Sequence, residues 1–200
     1  MYSLAEDLVL IAVDPATGVL RCHGHLRYAL MGAELLALVS GGLIEEANGQ
    51  IHVLAPGARS SGDPDVDAAM VGLVAAKRPP RIRGWVGVPR RQITEDYLNR
   101  LIAANAIRRE GGRFRARWPV ADHSRAAALR TRLDTIAFGS GAVDPPQVAF
   151  AGLVNAIRLD LLIYRGSDQR QVHKRLREIC QSNAITEAVH HAATSSAAAG

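Results

Sequence analysis

Apolar positions along this chain return mostly at intervals of three and four, the spacing of helices that bury one face. Leu4, Leu8 and Ile11 mark such a face over residues 3 to 13, with Glu6 and Asp7 in the first turn, where acids suit a helix N-terminus. "DPATG" then predicts a turn, and Val19 to Cys22 a brief strand. From about Leu26 to Val39, the residues Leu30, Ala33, Leu36, Ala37 and Ser40 give a longer helix its packed face, and Gly41-Gly42 stops it.

Asn48-Gly49, flanked by strand-like residues in "GLIEEANGQIHVL", predicts a β-hairpin. "SSGDPDVDAAMVGLVAA" reads as a loop and a helix capped by Asp63 with Pro64 at its first position, and "KRPPRIRGWVGVPRR" as a basic, irregular crossing. The helix-plus-hairpin unit then returns. Tyr97, Leu98, Leu101 and Ile102 give one face of a helix starting near Ile93, Asn105 ends it, and a second hairpin turns at Gly111-Gly112. Asp122 starts a helix to about Phe138, and Asp144 and Pro145 open an apolar helix over 146–164. Val172, Leu176, Ile179, Ile185 and Val189 mark C-terminal helices, and residues 194–200 are expected to fray. The fold expected is mainly α, a single globular helical domain with small β-hairpins over residues 1–193.

Composition agrees: 48% of the 200 residues are apolar and only 4% aromatic, which favours helices packed through small and aliphatic side chains over a β-sandwich. Cys22 and Cys180 belong to no C-x-x-C pair and read as buried thiols. The acidic start lacks the basic region of a secretory peptide, and no segment is apolar enough to span a bilayer, so a cytoplasmic location is expected. Asp63, Asp65 and Asp67 imitate the start of a calcium loop, but Ala68 and Val74 stand where its glycine and glutamate belong. The pairs His23/His25 and His190/His191 have no acid at ligand spacing, and there is no G-x-S-x-G. No catalytic residue, metal or cofactor is expected.

Charge changes the picture more. The net +5 hides twelve Lys/Arg against three acids in residues 77–117, so the rest of the chain is net negative. Arg108, Arg109, Arg113, Arg115 and Arg117 surround the second Gly-Gly turn, and Arg90 and Arg91 precede the helix near Ile93. Guanidinium forks beside the amides of a helix start suit a polyanion. A helix followed by an arginine-bearing hairpin is also the grammar of a winged helix on DNA. Against that, residues 93–104 carry Glu95, Asp96 and two apolar stripes, and few side chains that read bases.

The order of "LAEDLVLIAVDPATG", "LRYALMGAELLALVSGGLIEE", "YLNRLIAANAIRREGGRFRARWPVAD" and "DPPQVAFAGLVNAIRL" resembles the Golgi phosphoprotein 3 family, bacterial members in particular, over residues 3 to 193. The resemblance implies a mainly helical domain that binds phosphatidylinositol 4-phosphate on membranes through a basic pocket. It also implies a hydrophobic hairpin that supports self-association, and in the eukaryotic members a client glycosyltransferase. The four pocket positions fall at Cys22, Met31, Arg91 and Thr94, of which only Arg91 carries the family residue. Arg90, Arg21, Arg27 and Trp85 are the nearby substitutes. At the hairpin tip Phe114 is the main apolar residue, so adhesion there is expected to be more electrostatic than insertive. At roughly 1 kcal/mol per basic side chain, five or six arginines give micromolar-scale, salt-sensitive attachment to anionic lipid.

Overall fold

Ser3 caps the first helix reciprocally: its hydroxyl accepts from the Glu6 amide, and the Glu6 carboxylate accepts from the Ser3 amide. The computed structural model describes residues 3–57, 60–112, 115–166, 168–179 and 183–197. In chain order its elements are α1 (Leu4–Ala12), α2 (His23–Ser40), β1 (Ile44–Ala47), β2 (Gln50–Val53), α3 (Pro64–Val74), α4 (Ile82–Gly87), α5 (Ile93–Ala103), α6 (His123–Phe138), α7 (Pro145–Ala156), α8 (Asp160–Ile163), α9 (Gln169–Ile179) and α10 (Ala184–Ala197). Helices dominate, and β1 and β2 form the one ladder of paired strands among the described residues, so the fold is mainly α.

α2 is the central post. It packs against α1, α3, α5, α7 and α10, and its Leu26, Leu30, Leu35 and Leu38 are fully enclosed. Gly32 makes the tightest approach: a methyl group there would come within 2.6 Å of the Val189 side chain and 3.0 Å of Leu153. Only glycine lets α7 and α10 close on α2 at that point.

Asp63, Asp122 and Asp144 cap α3, α6 and α7 as their positions predict. Asn48 and Gly49 both take positive φ in the β1–β2 turn, and Asn105 does so after α5. The second hairpin is present in reduced form, with Glu110 and Arg117 exchanging both backbone hydrogen bonds at 2.9 Å. One step nearer its root, Arg108 donates to the Pro119 carbonyl, but proline has no N–H to return, so no continuous ladder forms. Arg113 and Phe114 at its tip lie outside the described residues.

Three expectations are corrected. Residues 19–22 are not a strand: only Leu20 bridges, to Val13, and Cys22 turns left-handed at the start of α2. The "irregular crossing" contains α4, because Ile51 donates to the Pro80 carbonyl and Ile82 to Gly49, docking the segment on β2 so that Ile82 and Val86 are buried. The helix expected over 146–164 breaks after Ala156, where Arg158 adopts φ +57°. Its amide donates to Asn155 O and that of Leu159 to Val154 O, a helix-ending pair of bonds that glycine more often provides. α10 runs to Ala197.

Candidate functional site

Arg90 does not face solvent as a free cation. Its guanidinium donates to both oxygens of Glu34 on α2, at 2.7 and 2.5 Å, and also approaches Asp65 at 3.5 Å. Glu34 is 0% exposed and accepts a third bond, 3.2 Å long, from the Tyr97 hydroxyl of α5. Burial pushes the Glu34 carboxyl up to about 7 despite Arg90 and Tyr97, which favour the charged form.

Next to it, Arg100 of α5 bonds Asp63 at 2.5 Å, Asp65 at 3.0 Å and Glu6 at 3.1 Å, and lies over the Tyr97 ring at 5.1 Å. Arg125 of α6 meets Asp7 at 2.9 Å. The ion pairs therefore continue from α1 through α2, α3 and α5 to α6, and hold the bundle together on one side. The acids at 63 and 65 do more than start α3, since they neutralise Arg100.

Arg21 bonds Asp14 at 2.5 Å. Burial alone would raise the Asp14 carboxyl, but Arg21 and the amides of Thr17 and Ala16 hold it down at about 2. Arg21 also edges a largely apolar cavity of about 280 Å³ between α1 and α6. Arg27 lies over the neighbouring Tyr28 ring at 4.9 Å and donates to its hydroxyl at 2.9 Å. Trp85 is half-buried with its ring tip against Gly72 of α3, and its indole N–H is enclosed without a hydrogen-bond partner. Arg91 is exposed and has no carboxylate partner among the described residues.

Of the four positions taken from the family pocket, only Arg91 is an exposed cation. Met31 and Thr94 are buried, at 3% and 8% exposure. Cys22 hydrogen-bonds the Ile157 carbonyl, and burial together with the Asp160 charge raises its thiol to about 11, so it stays protonated. Glu34, which holds Arg90, lies roughly 18 Å along α2 from Cys22 at 1.5 Å per residue. Within the set of Arg21, Arg27, Trp85, Arg90 and Arg91, Arg21 and Arg90 have internal carboxylate partners, Asp14 and Glu34, that the sequence did not reveal.

What remains free is a different group. Between Asp67 and Glu95 the chain has no acid at all, while it carries Lys77, Arg78, Arg81, Arg83, Arg90 and Arg91. All but Arg90 are exposed and without a carboxylate partner among the described residues. Val71, Val74 and Val88 are exposed in the same stretch, Val88 at 78%. Trp85 of α4 lies against Gly72 of α3, and Arg81 and Arg83 line a cavity with Ala184 and Glu187 of α10. Elsewhere Arg108, Arg109, Arg115 and Arg117 of the second hairpin are also exposed.

The charge count over residues 77–117 includes the cations of this interval as a basic, irregular crossing, but the arginines at 90, 91 and 108–117 stand out in it by their place beside a helix start and a turn. Sequence reasoning missed the buried pairing of Asp160 with His173, 2.7 Å apart, whose partners are thirteen residues apart on different helices. Among the described residues, no group of His, Cys, Asp and Glu side chains is placed to hold a metal ion, and no helix is long and apolar enough to cross a membrane.

Residues 4–195 match the family model described as Golgi phosphoprotein 3 (GPP34), nearly the whole chain. The comparison with curated proteins finds no match.

Proposed function

The chain belongs to the Golgi phosphoprotein 3 family, and on that footing we propose that it attaches reversibly to anionic membrane surfaces through the acid-free face of residues 68–94. The observation that carries this reading is the mixture of exposed side chains along residues 68–94. Five unpaired cations, Lys77, Arg78, Arg81, Arg83 and Arg91, stand with exposed Val71, Val74 and Val88. Cations attract lipid phosphates, and small aliphatic side chains among them gain from entering the headgroup boundary. A duplex-binding surface needs the first and has no use for the second.

α5 supports the same preference. A winged domain would insert this helix in a groove, yet its Ile93, Tyr97, Leu98 and Leu101 are buried and its Arg100 is tied to Asp63 and Asp65. The exposed arginines of the second hairpin add to the attraction. Headgroup preference follows charge in this reading, and a dedicated phosphatidylinositol 4-phosphate pocket is not required, since only Arg91 among the four family positions is an exposed cation.

Sedimentation with vesicles tests it. The protein is expected to pellet with vesicles containing phosphatidylglycerol or a phosphoinositide, to stay in solution with neutral ones, and to be released as salt shortens the screening length from about 10 Å to about 3 Å between 0.1 and 1 M. Equal pelleting with neutral vesicles, or tighter binding to duplex DNA than to anionic vesicles at physiological salt, would count against it.

A further inference from the structure

A second group of unpaired cations lies at a polar cleft of about 280 Å³ between α7, α9 and α10. We propose that this cleft binds a phosphomonoester whose body offers a hydroxyl or ammonium donor. Arg158, Arg177, His173 and His190 line it, and neither arginine has a carboxylate partner among the described residues. Two guanidinium forks and two imidazoles are the donor set that holds a phosphate.

The imidazoles are held from behind. His173 turns Nδ1 to the Asp160 carboxyl at 2.7 Å, and Asp160 is 1% exposed. The Asn155 amide nitrogen lies 3.3 Å from both Asp160 Oδ2 and the His173 carbonyl, pinning the pair to α7. His190 places Nδ1 3.2 Å from the Ala156 carbonyl, which can only accept, so that nitrogen carries the proton. In both rings Nε2 is left without a partner among the described residues, available to an incoming oxygen.

Arg158 supplies the sharpest detail. It holds φ +57° in the turn that ends α7, a backbone state that glycine adopts without strain and an L side chain does not. An arginine there is unfavourable for the turn, and it lines the cleft. Glu187 on the rim defines the rest of the ligand: it repels a bare anion and accepts from a hydroxyl or ammonium group on the same molecule. It also borders the adjoining cavity of about 450 Å³ that contains Arg81 and Arg83.

The proposal does not rest on the membrane reading, because changing Arg158 leaves residues 68–94 intact. Calorimetric titration with glycerol 3-phosphate, with inorganic phosphate for comparison, and sedimentation with vesicles containing lysophosphatidic acid, which keeps a free hydroxyl, test it. Saturable binding of glycerol 3-phosphate, tighter than inorganic phosphate, is expected. Arg158→Gly should weaken it about tenfold or more, while its melting temperature stays equal or rises, and Lys174→Ala, on an exposed part of α9, should bind as the wild type does. Binding of lysophosphatidic acid vesicles in excess of that to phosphatidylglycerol vesicles, with the excess lost in Arg158→Gly and no saturation by the soluble ester, assigns the same phosphate to a lipid. Absence of both kinds of binding, or equal binding by Arg158→Gly, overturns the proposal.

Discussion

Replacing Glu34 with alanine is expected to cost about 3–5 kcal/mol of stability, the range for removing one member of a buried ion pair. The carboxylate accepts two bonds from Arg90 and one from Tyr97 inside the bundle. Without it, the Tyr97 hydroxyl is enclosed with no acceptor and Arg90 keeps only the longer contact to Asp65. Glutamine preserves the shape and should cost less. A distinct pH signature accompanies the effect. The Glu34 carboxyl is raised to about 7 in the folded protein, by burial first, against an ordinary value of 4.5. Folding therefore takes up a proton between those values, so this group's contribution is full below about 4.5, declines as pH rises, and is gone above about 7. Urea midpoints measured across that window should fall more steeply with pH for the wild type than for Glu34→Gln. Parallel curves would show that Glu34 does not take up this proton on folding.

Combined substitution of Lys77, Arg78 and Arg83 by glutamine is expected to weaken binding to anionic vesicles about 150-fold, taking about 1 kcal/mol for each cation near the surface. All three are exposed and without a carboxylate partner among the described residues, so stability should change by less than about 0.5 kcal/mol. That separation of binding from folding distinguishes the face from Arg90, whose replacement would disturb Glu34 as well. Neutralising Arg165 and Arg170, exposed cations elsewhere on the surface, serves as the control and should have a much smaller effect. A vesicle affinity for the triple variant that matches this control would place the contact elsewhere.

Features set by neighbouring residues were legible in the sequence. The caps at Asp63, Asp122 and Asp144, the Asn48-Gly49 turn and the left-handed Asn105 each depend on one or two residues meeting a local backbone need. α4 was not legible, because its glycines and the prolines that flank it oppose a helix and it exists through docking on β2 and burial of Ile82 and Val86. The break at Arg158 was hidden for the opposite reason: arginine is an unexpected residue at a left-handed helix end. The basic region was found by counting charge, but counting does not separate a paired cation from a free one. Arg90 meets Glu34 across 56 residues of sequence, and only the folded chain takes it out of the free cations while leaving Arg91 among them.

The central claim is that the 68–94 face itself touches the lipid, and the chain holds a reporter for it. Trp85 lies within that face, and Trp118, in the second hairpin, is the other tryptophan. In a Trp118→Phe variant, Trp85 fluorescence should be quenched by anionic vesicles carrying brominated acyl chains and unaffected by the same lipids without bromine. Vesicle binding that proceeds with no bromine-dependent loss of Trp85 emission would contradict the claim.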